Sequence, residues 1–276
     1  MTKVLACAVA LTAIVAPSTR AHRVPAREPS AGGPVAASTW TADALVARVV
    51  NVRKAERFRI RATMTRSTPG GGAGDVRQLL IQGRRERDRG TLLYRQLWPV
   101  VAGGRALVVE DTGEHGLRGF QYEAGTVTSL TDGMLGERFF ASDLRIEDLA
   151  EGFWFWRSRT IVGEEAVGEH QTVIVDLRPG PGTPTTYSKV KAWLSPDLAI
   201  GLRMEQYGRD GHLAKRIGLY RILKVNDRWM PGIITVEPGD GRSRTVIEGV
   251  KFEQDVSLRH EDFTVAGVRR VVSGGK

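Results

Sequence analysis

Residues 202–237, LRMEQYGRDGHLAKRIGLYRILKVNDRWMPGIITVE, decide the fold. Three runs of strand character, 202–207, 213–225 and 229–237, are joined by short links that carry Asp210-Gly211 and Asn226-Asp227. Links of that kind fold the chain back as hairpins, so neighbouring strands run antiparallel. A parallel pair needs a crossover of a dozen or more residues. The pattern continues outward, to runs at 172–177 and 187–194 upstream and, past Asp240-Gly241, to 244–252 downstream.

The first half has the same grammar. In 56–66, Phe58, Ile60, Ala62 and Met64 alternate with Arg57, Arg59, Arg61, Thr63 and Thr65, which predicts a half-buried strand with a charged outer face. Pro69 to Gly74 is read as a hairpin loop, because no Gly-Lys-Ser/Thr closes it as a phosphate loop. Strands are predicted at 75–86, 91–98, 106–109 and 119–122. Helical spacing is confined to 41–54, where Leu45, Val46, Val49 and Val50 recur behind a Thr39 or Thr41 cap, and to 142–149, with Ser142 as cap and acids in the early turns. About ten strands with so little helix exclude a doubly wound parallel sheet and call for one all-β sandwich or barrel domain.

The N-terminus reads as an export signal: Lys3, an apolar run from Val4 to Ala16, then Pro17 and small residues up to Ala21. Residues 1–21 are therefore predicted to be a cleaved signal peptide, and 22–38, rich in Arg, Pro, Ala and Gly, a flexible leader. The run is too short to span a bilayer comfortably. Val4-Leu5-Ala6-Cys7 has the composition of a lipidation box, but Cys7 sits at the start of the apolar run and not after it. A domain is expected over 39–268, followed by a disordered tail at 269–276.

Composition excludes several classes. The 276 residues contain one cysteine, so neither a disulfide framework nor a Cys-rich metal site is available. The net charge is +9, but the arginines are dispersed along strands, with no reading element for nucleic acid. His22, His115, His170, His212 and His260 are scattered, without ligand spacing. No Gly-x-Ser-x-Gly elbow is present, and adjacent acids such as Glu164-Glu165 point to opposite faces of a strand. No catalytic residue, metal or cofactor is predicted, and the reading is a binding protein, not an enzyme. Phe153-Trp154-Phe155-Trp156 leaves two alternatives: a core strand covered on both sides, or the rim of an apolar cavity beneath a lid.

Several stretches resemble the LolA-like superfamily of outer-membrane lipoprotein-sorting proteins. They are Arg89-Gly90 before a strand with Trp98-Pro99 and Gly104 after it, the 139–149 stretch FFASDLRIEDL, the 187–194 and 203–215 blocks, Trp229-Met230-Pro231, Arg244-Thr245 and Phe263-Thr264. Together they span roughly residues 40–265. The chain departs from the family at 120–128, which lacks a Tyr-x-Pro segment, and in its unusually aromatic 153–156 run. The resemblance implies a mainly β fold, a single curved antiparallel sheet forming an incomplete barrel, with a few helices as lid. It implies a periplasmic carrier for the acyl chains of lipoproteins or lipids, transiently at a membrane surface, monomeric and independent of nucleic acid. The alternatives are a lipid-sensing adaptor beside an inner-membrane transporter and, behind it, an enzyme on the same scaffold. With the apolar face taken as inward, strand alternation assigns the cavity wall to Phe58, Ile60, Met64, Leu92, Tyr94, Trp98, Leu202, Met204, Trp229 and Ile233, and the lid to Ile146, Leu149, Phe153 and Trp154. An unfilled apolar hollow is expected beneath the sheet.

Overall fold

Alternation in the strand at Arg57–Ser67 (β1) is as read: Ala62 and Met64 are buried, while Arg57, Arg61 and Ser67 are exposed. The computed structural model describes residues 39–52, 57–70, 74–86, 89–110, 116–225 and 228–273. The expected signal and leader, with Cys7, lie outside these residues. The remaining strands are β2 (Asp75–Glu86), β3 (Arg89–Trp98), β4 (Arg105–Glu110), β5 (Arg118–Glu123), β6 (Thr126–Ser129), β7 (Ser158–Val167), β8 (His170–Arg178), β9 (Tyr187–Ser195), β10 (Ile200–Gly208), β11 (Leu213–Val225), β12 (Arg228–Pro238) and β13 (Arg244–Gln254). All thirteen form one antiparallel sheet in the order β6-β5-β4-β3-β2-β1-β13-β12-β11-β10-β9-β8-β7. The sheet is curved and does not close into a barrel.

Its curvature has local causes. Register shifts interrupt the pairing at Arg61/Ala62, Gln78/Leu79, Ile161/Gly163 and Gln206/Tyr207, and twice between β9 and β10. Each bulge adds an unpaired residue, bends its strand and increases the local twist.

The two edge strands, β6 and β7, are consecutive in sequence. Residues 130–157 join them and run across the inner face of the sheet. This crossing segment holds 3-10 turns at Asp132–Met134 and Phe139–Ala141, the short helix α2 (Ile146–Ala150), and a further 3-10 turn at Gly152–Phe155. A helix at Ala42–Val52 (α1) also packs inside. It buries Leu45, Val46 and Val49, and Thr41 Oγ1 accepts its Ala44 N–H at 3.2 Å. The inner cluster combines α1, the crossing segment and strands from β4 round to β8.

A second layer covers part of the outer face. Residues 265–273, placed at the boundary of a disordered tail in the sequence reading, form a helix (α3, Val265–Ser273). Val268 is fully buried against Leu93, Ala106, Val108 and Tyr122. Because β4 is covered on both faces, Ala106 to Val109 reads as a continuous apolar run and not as an alternation. Gly104 permits the contact: it holds φ +84°, and a Cβ there would lie 2.5 Å from Val272 of α3.

Two further expectations are corrected. Ser142 does not begin a helix; the helix starts only after Arg145, and Ser142 Oγ instead donates to Phe139 O at 2.6 Å and accepts from Leu144 N at 3.2 Å. Residues 153–156 are not a strand. A 3-10 turn has three residues per turn, which sets Phe153 and Trp156 on one side, their rings 6.4 Å apart in edge contact. Phe153, Trp154 and Trp156 are buried, and Phe155 is half-buried.

Candidate functional site

The inner face is apolar and covered. Met64, Tyr94 and Met204 belong to the buried inner cluster, and Ile60 and Leu92 pack against it. Phe58 lies over Gly83 and lines a crevice with Leu92, Leu149 and Trp154. Ile146, Leu149, Phe153 and Trp154 are all buried in the same cluster. The sheet thus brings these ten residues together.

The other four lie elsewhere, for physical reasons. Gly201 faces inward, where a Cβ would lie 3.4 Å from the Trp154 ring, and the bulge that follows turns Leu202 outward. Leu202 packs in a separate cluster with Leu198 and Ile200. A bulge in β3 at Leu97 does the same to Trp98: Gln96 pairs with the inward Leu79, and Trp98 pairs with Gln78 and is 51% exposed. Ile233 stands in register between Tyr220 and Glu248, both exposed, so it faces outward. Trp229, 37% exposed, lies opposite Lys224, whose ammonium sits 5.9 Å from its ring centroid.

Among the described residues the expected hollow is largely filled by the protein's own side chains, with a space of about 260 Å³ left between β4, β5 and residues 137–146, lined in part by Leu107, Phe139 and Ile146. Between α1, β1–β4 and residues 149–155 the remaining space is about 50 Å³, and between Leu117, Leu135, Phe153 and Tyr187 about 40 Å³. Sites for small molecules typically run to roughly 300–1,000 Å³.

A buried polar clamp holds the crossing segment down. Asp148 of α2 accepts from Lys215 Nζ on β11 at 2.6 Å, from Tyr187 Oη on β9 at 2.7 Å and from Arg145 N at 2.6 Å. The side chains of this ion pair are 3% and 1% exposed. Lys215 Nζ also donates to Asp143 O at 3.1 Å. Asp143 in turn accepts from Arg66 Nε on β1 at 3.0 Å, and from Ser243 Oγ at 2.7 Å and Thr245 Oγ1 at 2.8 Å beside and on β13. Glu147 accepts from Thr186 N at 3.0 Å and Thr185 Oγ1 at 3.1 Å, and from the Thr186 hydroxyl. The three acids of one short stretch therefore reach β1, β9, β11, β13 and the 185–186 turn.

Burial shifts two groups of this clamp, Glu147 and Tyr187. It pushes the Glu147 carboxyl above the usual carboxylate range, outweighing the hydrogen bonds from Thr186 and Thr185. Burial, then the negative field of Asp148, drives the Tyr187 phenol well above its usual value, so it stays a donor. On the outer face, burial and the Glu205 carboxylate push Tyr207 up to about 12. Burial also raises Glu205, but hydrogen bonds from Tyr207 and Arg216 outweigh it and leave that carboxyl below its usual value.

The sequence reading missed this clamp, taking its acids as partners of a helix dipole. One signal was available. Lys215 is two residues before the inward Ile217 on the same strand, and a lysine on an apolar face needs a buried anion.

Comparisons agree with the architecture. A DUF1329 family protein from Desulfovibrio piger overlays with TM-score 0.73 at 22% identity, covering 82% of this chain and 96% of that one. A domain from Vibrio parahaemolyticus, described as an outer membrane lipoprotein-sorting protein, gives TM-score 0.74 at 15% identity over 83% of this chain and 100% of its own. A LolA superfamily protein from Nitrosomonas europaea gives 0.63 at 16% identity, over 82% and 98%. No curated protein matches the chain in sequence. A family model described as "Uncharacterized protein"-like matches residues 91–270, well over half the chain. The chain belongs to that family and carries the LolA-like fold.

Proposed function

We propose that this chain is a periplasmic carrier that binds the acyl chains of a lipoprotein or lipid against the inner face of its sheet. The supporting observation is how that face is covered. A curved apolar sheet surface is closed by α1 and one crossing segment, not by a second sheet, and the polar contacts anchoring that segment are concentrated between Asp143 and Asp148. In this reading residues 1–21 direct export, 22–38 are a leader, and the crossing segment is a lid that swings off to admit cargo. The function is binding and release, with no catalytic step.

The energetics select the cargo. Exposing Ile146, Leu149, Phe153, Trp154 and Trp156 costs about 1.5–3 kcal/mol each, on the order of 10 kcal/mol in all. One acyl chain of about 14 methylenes returns roughly 11 kcal/mol at ~0.8 kcal/mol per methylene. A single chain only balances the lid, because a ligand shifts an equilibrium by no more than its differential affinity. Two or more chains tip it, which favours diacyl or triacyl cargo over free fatty acids.

Native mass spectrometry of the protein exported and purified from its own cells is the test. Co-purification of a multi-chain lipid or lipopeptide is the expected result, and a uniformly ligand-free protein refutes the reading. Transfer of a fluorescent diacyl lipid between vesicles then separates a carrier from a lipid-sensing adaptor. A carrier accelerates transfer above the spontaneous rate, and an adaptor leaves it unchanged.

A further inference from the structure

The outer face of the sheet carries a concentration of cations that the inner-face reading does not use. Lys251 pairs with Arg61, Arg61 with Leu80, and Leu80 with Arg95, so one row across β13, β1, β2 and β3 holds three cations. Adjacent strands lie about 4.8 Å apart, so the row spans roughly 14 Å. Arg59 stands in the neighbouring row opposite Glu253. Glu253 is the one acid of these two rows across the four strands, and it already faces Lys251 at 2.8 Å and Arg59 at 3.8 Å. Burial, followed by the positive fields of Arg61 and Arg59, holds the Arg95 guanidinium below its usual value.

Exposed apolar side chains border these cations. Trp98 projects from the same face as Arg95 on β3, and Val100 follows it at 83% exposure. Arg95 Nη1 donates to Val271 O of α3 at 2.9 Å, and Val271 is itself exposed. Arg269 and Arg270 on the same helix are exposed as well. At the β13 bulge, Val250 is 69% exposed. Among the described residues no helix is long and apolar enough to cross a membrane.

We propose that this face, centred on Trp98, Val100 and the Lys251–Arg61–Arg95 row, docks on the surface of an anionic phospholipid bilayer. The cations meet lipid phosphates, while the indole and valine side chains enter the interfacial zone that tryptophan favours. Charge argues for a bilayer over a protein partner. The cores of protein interfaces are depleted of charged residues, whereas here the apolar side chains are set among cations that outnumber the neighbouring acids Glu253 and Glu248, an excess that an anionic surface neutralises. The proposal stands apart from the carrier reading, since docking requires no movement of the crossing segment.

Flotation with phosphatidylcholine vesicles, alone or with about one-third phosphatidylglycerol, tests it. Binding to the anionic vesicles alone, weakened by salt, is expected. Arg61 and Lys251 are exposed, so Arg61→Gln/Lys251→Gln keeps the fold; at about fivefold per cation it lowers vesicle affinity roughly twenty-five-fold. Trp98→Ala lowers binding without changing its salt dependence. Equal binding to both vesicle types, no binding to the anionic ones, or undiminished affinity in a folded Arg61→Gln/Lys251→Gln protein overturns the proposal. Docking without lipid transfer leaves it standing and counts against the carrier alone; transfer without preference for anionic vesicles does the reverse.

Discussion

Replacing Lys215 with methionine removes the ammonium that neutralises Asp148 and keeps most of the apolar stem. Asp148, 1% exposed in its side chain, then retains only the Tyr187 hydroxyl and the Arg145 amide as partners. Breaking a buried pair by removing one member typically costs about 3–5 kcal/mol, because the remaining charge is stranded. Domain stabilities are only about 5–15 kcal/mol, so this is a large fraction. Asp148→Asn in the Lys215→Met background removes the stranded charge and leaves an acceptor for Tyr187. That double variant is expected to recover to within about 1–2 kcal/mol of wild type. Urea unfolding measures each change as a shift in midpoint at constant slope. Hydrogen exchange at the α2 amides, such as Glu151 N bonded to Glu147 O at 3.2 Å, locates the weakening in the crossing segment. A loss below about 1 kcal/mol in Lys215→Met, or a double variant no more stable than the single one, refutes the argument that the ion pair is desolvated and holds the segment down.

Other outcomes follow from the same geometry. Gln206 is fully buried and its side-chain amide has no partner among the described residues, so Gln206→Met is expected to raise the urea midpoint by the equivalent of about 1–3 kcal/mol; a fall shows that the amide is satisfied in solution. Glu147 has a folded pKa above its ordinary 4.5, so the folded state holds its proton more tightly and stability declines as pH rises from about that value through the raised one. Glu147→Gln is expected to flatten that part of the stability profile, and a profile parallel to wild type disproves the assignment. Ile60 packs against the inner cluster, and Ile60→Asp is expected to abolish binding of a fluorescent acyl probe; wild-type affinity in a folded variant removes the inner face as the binding surface.

Much of the sheet was legible because its signals are local. Alternation in β1 needs only the contrast between Phe58, Ile60, Ala62, Met64 and the arginines between them, and the hairpins announce themselves at Asp210-Gly211 and Asp240-Gly241. The site was legible only where alternation ran unbroken. Leu202 and Trp98 were assigned inward by counting residues, and a bulge beside each changed the count by one, which sends a side chain to the other face. Nothing local marks such a bulge, because it is set by how neighbouring strands fit. The clamp was hidden for a related reason: Asp143, Asp148, Tyr187, Lys215 and Thr245 meet only after the sheet has curled. The α3 segment, VAGVRRVVS, repeats Val265, Val268 and Val272 at helical spacing, but nine residues are too few to hold a helix alone, and it is fixed by packing against Leu93 and Val108.

The strand order carries a consequence for assembly. Strands β1 to β6 form one run of nearest-neighbour hairpins and β7 to β13 another, and among the described residues the only strand pairing that stitches these two ribbons together is β1 with β13. The thirteenth of these strands in chain order is therefore the zipper between the two ribbons. Until Arg244–Gln254 is in place, the two ribbons are held together only by the chain that links them, so a chain cut short before that point carries two sticky ribbons on one tether and is not a smaller version of the protein.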